Sequence, residues 1–198
     1  LYLIHADDYD TEKEARFRDA LHDLALDEES EVHFEPGQPV ESILKAQREE
    51  RIDLLIAGAL ESESIHRNFT GNVARELLKK APCDLLLFTE PREKPEPPKE
   101  ILVAIPDFSE LSKQVFHQAV NLAERRGTPK ITVVHVQTTF AEAKEKVAGA
   151  TSGAPSSEVI MEELLNERES SNVELDYHLL RGNTGFTACE FIQSSGAD

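Results

Sequence analysis

Short apolar runs alternate with longer stretches of helical periodicity along most of the 198-residue chain. β-branched or leucine-rich runs predict strands, and apolar positions repeated at helical spacing predict the helices between them. The predicted strands cover 1–6, 31–35, 53–58, 84–89, 100–106, 130–137 and 173–180. The predicted helices cover 11–26, 39–50, 72–80, 109–126, 157–169 and 184–194. This alternation indicates an α/β fold of βαβ units, with a doubly wound parallel sheet covered on both faces.

The two halves of the chain are copies of one unit. LYLIHADD at residues 1–8 matches ITVVHVQT at 131–138, with His5 and His135 at the same position of each run. A second match joins residues 37–53 to residues 182–198, and its offset is longer by about 15 residues. Most of the extra length falls in AGATSGAPSS at 148–157, whose composition predicts a flexible loop.

A proline-rich segment separates the two copies. TEPREKPEPPKE at 89–100 contains four prolines, which favour a semi-rigid linker and exclude a helix or a central strand. We therefore expect a first domain at 1–90, a linker at 91–99 and a second domain at 100–198.

Each copy is incomplete in this chain. The first has no counterpart of the strand and helix at 100–126, and the second stops before the equivalents of 53–90. A parallel sheet without an inner strand leaves buried backbone groups unpaired, at about 1–3 kcal/mol each. We therefore expect either an excerpt of a longer protein or two partial copies that complete one another.

The charge and cysteine content narrow the functional classes. The chain has 38 acidic and 21 Lys or Arg residues, a net charge of −17, which argues against binding to nucleic-acid phosphates. No apolar run approaches the length needed to span a membrane. The two cysteines form neither a disulfide framework nor a metal-ligand spacing. These features favour a cytoplasmic protein without a metal site.

The segment IAGALESESIHRNFTGN at 56–72 has the form of a phosphate-binding loop. An apolar strand ends at Gly58, and Gly71 with Asn72 opens a helix, whose N-terminus attracts anions. The run from 53 to 88 resembles the C-terminal half of a universal stress protein domain, whose signature is G-x2-G-x9-G-[S/T]. The spacing is intact, but Glu61 stands at the middle glycine and Asn72 at the Ser or Thr.

Two further segments carry the same resemblance. ILVAIPDFSE and KITVVHV are similar to the first two strands of that family. The resemblance covers essentially the whole chain and implies two universal stress protein domains in tandem. It also implies their Rossmann-like, adenine nucleotide alpha hydrolase-like fold.

The resemblance implies which residues would contact ATP. In members that bind it, the Asp after the first strand and a residue at the end of the second hold adenine and ribose, and the glycine loop wraps the phosphates. The matching positions here are Asp107 and Val136 in the second copy, and Gly58, Gly71 and Asn72 in the first. Neither copy contains both halves of a site.

Asp107 has another interpretation, and Glu61 argues against phosphate binding by the loop. Asp107 could belong to an N-cap box of the following helix, in which Ser109 is also a candidate cap. Glu61 places a negative charge near the expected phosphates, which costs up to about 4 kcal/mol, or roughly a thousandfold in affinity, at 4 Å and a dielectric near 20. We therefore predict a degenerate loop without tight ATP binding in the first copy, and ATP remains a candidate ligand of the second.

The sequence favours a non-enzymatic stress-response protein that acts by binding a ligand or a protein. The apolar edge strand at 84–89 predicts self-association, between the two copies or in a homodimer. The alternative is a cytosolic, nucleotide-sensing regulatory domain of a larger protein such as a transporter. An enzyme is not expected, because no catalytic acid–base arrangement is evident, and His5 and His135 are expected to be packed at strand ends.

Overall fold

The structure is a computed structural model that describes residues 1–26, 29–58, 73–88, 96–168 and 171–196. The chain divides into two units, Leu1–Pro95 and Glu96–Asp198. No helix in the described ranges is long and apolar enough to cross a membrane. The proposed linker at 91–99 lies mostly outside the described residues, so its conformation stays a prediction.

The described residues of the first unit form four strands and three helices, close to the predicted bounds. Its elements are β1 (Tyr2–His5), α1 (Thr11–Asp23), β2 (Glu31–Phe34), α2 (Pro39–Glu49), β3 (Leu54–Gly58), α3 (Val73–Lys80) and β4 (Asp84–Phe88). The Asp10 side chain caps α1 by accepting from two backbone amides, and proline occupies the first turn of α2.

The strands of the first unit form two separate parallel pairs in the described residues. β1 pairs with β2 from Tyr2↔Glu31 onward, and β3 pairs with β4 from Leu54↔Asp84 onward. Within the described residues, no strand joins the two pairs. The small core lies beside the β3–β4 pair, where Val40 and Leu44 of α2 pack with Leu77 of α3.

In the part of the second unit that the structure describes there are three strands and four helices. Its elements are β5 (Glu100–Ile105), α4 (Glu110–Arg126), β6 (Lys130–Gln137), α5 (Thr139–Ser152), α6 (Ser157–Asn166), β7 (Glu174–Arg181) and α7 (Thr184–Ser195). The strands form one parallel sheet of order β5-β6-β7. Its register runs from Glu100↔Lys130 for the first pair and from Lys130↔Glu174 for the second.

The central strand of this sheet is buried because helices cover it. β6 has six consecutive buried residues, as expected of a parallel strand between two layers. Phe116 and Val120 of α4 and Met161 of α6 are fully buried against it. Among the described residues, this core has more buried side chains than the core of the first unit, and it packs against β5 and β6.

One sequence prediction is wrong. The segment at 148–157 is not a flexible loop, since Ala148–Ser152 forms the end of α5 and Ser157 begins α6. Thr138 caps α5 with its side chain, and Gly153 ends the helix in the left-handed conformation. The helix was missed because the Gly, Ser and Pro content of 148–157 predicted a loop.

One face of the β3–β4 pair is open in the described part of the first unit. Leu54 and Ile56 of β3 and Leu86 and Phe88 of β4 are between 43% and 57% exposed. Alternation along the strands places these four side chains on one face. This face of the β3–β4 pair is therefore open in the described part of the chain, whereas the predicted α/β fold with parallel strands is confirmed.

Candidate binding site

The candidate site of the second unit lies at the carboxyl ends of β5 and β6, which end side by side. Ile105 is the last residue of β5 and pairs with His135, whereas β6 continues through Val136 and Gln137. Ligands of open parallel sheets bind beyond such carboxyl ends. The sequence places Asp107 directly after β5, so this edge brings Asp107 and the end of β6 together.

The Asp107 carboxylate is held at the start of α4. Its Oδ1 accepts from the backbone N–H of Ser109 (3.0 Å) and from the hydroxyl of Ser112 (2.9 Å). Ser109 is the N-cap residue of α4, and its Oγ accepts from the Ser112 amide. Ser109 therefore caps α4, and Asp107 takes part in the same turn by accepting from Ser109 and Ser112. Hydrogen bonds from Ser109 and Ser112 hold the pKa of Asp107 below its usual value, so the group is a carboxylate at neutral pH.

His135 and Phe108 pack together at this edge of the sheet. The Nδ1–H of His135 donates to the carbonyl oxygen of Ile105 (3.1 Å), and the imidazole ring lies 4.7 Å from the Phe108 ring. The His135 side chain is buried. His135 is therefore a packed histidine that ties β6 to β5, as the sequence suggested.

The equivalent histidine of the first unit has a different environment. The His5 ring contacts Phe17 and Phe34, at centroid distances of 5.4 and 5.7 Å. Its buried Nε2 has no hydrogen-bond partner in the described residues and lies 3.8 Å from the Asp7 carboxylate. Among the described strands β1 pairs only with β2, so none supplies a carbonyl equivalent to that of Ile105.

Val136 occupies the position predicted for the base side of a ligand. It pairs with Leu180 of β7, and its side chain is buried. The structure thus brings Asp107 and Val136 to one edge of one unit. Whether they bind a nucleotide stays a prediction.

The residues predicted to bind phosphate lie on the first unit, and the structure describes only the first of them, Gly58. Gly58 ends β3, and a Cβ atom added there would meet nothing within 4 Å in the described residues. Packing around this residue therefore shows no need for glycine. Glu61, Gly71 and Asn72 lie outside the described residues.

Sequence reasoning missed a polar cluster that joins β6, α5 and α6. One carboxylate oxygen of Glu145 accepts from the Ser157 amide (2.9 Å), and the other accepts from the Ser157 hydroxyl and the Gln137 side-chain amide. Nearby, Arg181 at the end of β7 pairs with Glu142 (3.0 Å). A cavity of about 300 Å³ opens beside these groups, and its lining includes neither Asp107 nor Val136. The sequence signal for this cluster was Glu145, followed by a Ser-Ser pair whose second serine, Ser157, lies twelve residues later at the start of a helix.

The described residues contain no group of three or more His, Cys, Asp or Glu side chains arranged to hold a metal ion. Cys83 is half-buried and Cys189 is exposed, and neither forms a disulfide.

The fold and this edge define a class of protein. Parallel strands alternating with helices, and polar groups at the strand carboxyl ends, define a Rossmann-like α/β protein in two tandem copies. The model of the universal stress protein family matches residues 3–89 and again residues 98–198. The chain therefore belongs to the universal stress protein family.

Solved structures show the same fold. A universal stress protein from Archaeoglobus fulgidus DSM 4304 is 19% identical with a TM-score of 0.54, and the match covers 95% of this chain and 66% of that one. A putative universal stress protein from Pseudomonas aeruginosa UCBPP-PA14 is 15% identical with a TM-score of 0.67, covering 100% and 69%.

A protein of unknown function from Pseudomonas aeruginosa PAO1 is 16% identical with a TM-score of 0.67, covering 100% of this chain and 68% of its own. The chain thus spans about two thirds of the length of these structures. Among curated proteins, no match to the chain is found.

Proposed function

We propose that the chain is a non-enzymatic universal stress protein that acts by binding a ligand or a protein. The ligand we propose for the second unit is an adenine nucleotide, held at the carboxyl ends of β5 and β6. The observation that carries this proposal is the Asp107 carboxylate, kept ionised at the open end of β5 beside a strand that extends past it.

The chemistry at this edge suits a nucleoside. A carboxylate with free acceptor capacity can bind the hydroxyls of a ribose, as acidic residues do in other Rossmann-like folds. Because the Val136 side chain is buried, this residue would meet an adenine ring through main-chain groups. The hydrogen bonds from the Ser109 amide and the Ser112 hydroxyl both go to Oδ1 of Asp107, and we propose that Oδ2 binds the ligand.

The first unit is proposed to bind ATP weakly or not at all. Its loop retains Gly58, Gly71 and Asn72 at the family spacing, but Glu61 adds a carboxylate where the phosphates would lie. Like charges at short distance oppose binding. The first unit would then act chiefly in protein contacts.

We further propose that β4 mediates self-association. In the described residues β4 pairs with β3 alone, and Leu86 and Phe88 are about half exposed. Such an apolar strand edge can pair with the same edge of a second copy. Sedimentation of wild type and Leu86→Lys tests this: wild type should be dimeric and the variant monomeric, whereas a wild-type monomer would refute it.

The nucleotide proposal is tested by calorimetric titration of ATP with a parallel assay of phosphate release. Wild type should bind ATP without hydrolysing it, and Asp107→Asn, which keeps an acceptor for the α4 cap, should bind at least about tenfold more weakly. The matched control is Asp176→Asn, at the amino half of β7 and away from the site. Hydrolysis above the buffer rate, or equal affinity of wild type and Asp107→Asn, would refute the proposed role.

A further inference from the structure

Unlike an ordinary surface helix, α5 exposes its large apolar side chains and turns its carboxylates toward the domain. A surface helix normally buries its apolar stripe and exposes its charges. In α5 no residue is fully buried, and the large apolar side chains Phe140 and Val147 are 80% and 63% exposed. With Ala143 and Ala150 they form a stripe at helical spacing, which we call the outer face of α5.

The opposite side of α5 attaches to the domain through polar groups. Glu145 accepts from Ser157 and Gln137, and Glu142 accepts from Arg181. Glu142 and Glu145 are half-buried, so they are held toward the body of the domain. The apolar outer face therefore takes no part in holding α5 in place. Its exposed apolar side chains are explained if another surface covers them.

The charges on α5 indicate what that surface carries. Both carboxylates face the domain, whereas Lys144 and Lys146 are exposed to solvent beside the outer face. Lys146 pairs with Glu142, and Lys144 has no ion pair with any residue in the described ranges. A cationic, apolar patch is unusual in a chain with 38 acidic residues against 21 Lys or Arg. Carboxylates of a partner are the complementary groups.

Two other occupants fit less well. In a two-fold pairing of α5 with its own copy, the Lys144 side chains would meet, because Lys144 lies near the middle of the helix. An anionic lipid surface would repel a chain of net charge −17, and two large apolar side chains give little insertion.

We propose that the outer face of α5 docks into an apolar groove of a partner protein, with Phe140 as the anchor and a carboxylate of the groove pairing with Lys144. Helix-in-groove binding of this kind uses side chains at the spacing of Phe140, Ala143 and Val147. This proposal rests on the binding role proposed above but concerns a different surface from the nucleotide site.

The test begins with the full chain carrying the photoreactive residue p-benzoylphenylalanine in place of Phe140. It is irradiated in an extract of the source cells, and the cross-linked protein is identified and purified. The matched control carries the same residue in place of Phe186, which is 65% exposed on α7. Dissociation constants of the purified protein are then measured for wild type, Phe140→Ser, Lys144→Glu and Phe186→Ser, with circular dichroism confirming that each is folded.

A partner should cross-link at position 140 and not at 186. Phe140→Ser and Lys144→Glu should each weaken binding about tenfold or more, and Phe186→Ser less than about twofold. Affinity should also fall as salt rises, because one contact is an ion pair. ATP titration of Phe140→Ser is run in parallel, so failure at the nucleotide site is not confused with failure here.

Three results would overturn the proposal. The first is no cross-link at 140 above that at 186. The second is a cross-link only to another copy of the chain, or binding of phosphatidylserine vesicles that requires Phe140. The third is a purified partner that binds Phe140→Ser or Lys144→Glu as tightly as wild type.

Discussion

The carboxylate of Glu145 accepts hydrogen bonds from both the backbone amide and the hydroxyl of Ser157, which lies twelve residues further along the chain. This relationship closes the turn between α5 and α6. Since α5 buries no residue fully, such polar contacts are its main attachment to the domain. The position of α5 is therefore sensitive to a single carboxylate.

Replacing Glu145 by glutamine should loosen α5 without unfolding the core. The neutral amide cannot accept charge-assisted bonds from both groups of Ser157, which are worth about 1.5–3 kcal/mol each. Hydrogen exchange should speed up at the Ser157 amide, while amides of β6 keep their protection. Glu158→Gln, on the exposed side of α6, is the control and should change neither.

The same attachment should weaken in acid. Burial alone would raise the pKa of Glu145, but hydrogen bonds from Ser157 and Gln137 outweigh it and lower the pKa from 4.5. A carboxylate whose pKa is lower in the folded state stabilises that state above the unfolded pKa, and loses this effect as the pH falls through the folded value. Protection of the Ser157 amide should therefore decline below about pH 4.5 in wild type and be insensitive to pH in Glu145→Gln.

Phe116 should be a major contributor to the stability of the second unit. It is fully buried among Val120, Val133 and Met161, so truncation to alanine should cost about 3–5 kcal/mol of unfolding free energy. Phe186→Ala removes the same atoms from an exposed site and should cost less than about 0.5 kcal/mol. Urea denaturation compares the two, and equal losses would contradict the assigned core.

Two buried threonines should respond in opposite ways to substitution by valine. The hydroxyl of Thr128 is buried without a hydrogen-bond partner in the described residues, whereas that of Thr132 donates to Glu100. Removing an unpartnered buried hydroxyl is neutral or stabilising by about 1 kcal/mol, and removing a partnered one destabilises by about 1–2 kcal/mol. Denaturation midpoints of Thr128→Val and Thr132→Val should therefore move apart.

Glu61→Gly should strengthen ATP binding to the first unit. The substitution restores the family glycine and removes a carboxylate whose repulsion is worth up to about 4 kcal/mol, or roughly a thousandfold in affinity. Calorimetric titration in an Asp107→Asn background isolates the first unit. Unchanged affinity would show that Glu61 is not the reason for weak binding.

The periodicity of the chain predicted most elements to within a few residues, because strands and amphipathic helices follow from which positions are apolar. β6 was predicted at its observed bounds. The helix α5 was missed because the composition of 148–157 predicted a loop, although Phe140, Ala143 and Val147 lie at helical spacing. For the candidate site, the sequence placed Asp107 after a strand but did not decide between its capping and binding roles.

The sequence by itself determined the alternation of strands and helices, the duplication of the unit and the family, because these follow from local periodicity and motif spacing. Only the tertiary structure decided that Asp107 shares its carboxylate with Ser109 and Ser112 beside His135. It also decided that Glu145 reaches Ser157 and that the β3–β4 face stays open. Periodicity does not specify these features, because they depend on the conformation of the turn after β5, on a contact twelve residues apart in the chain and on how the layers pack.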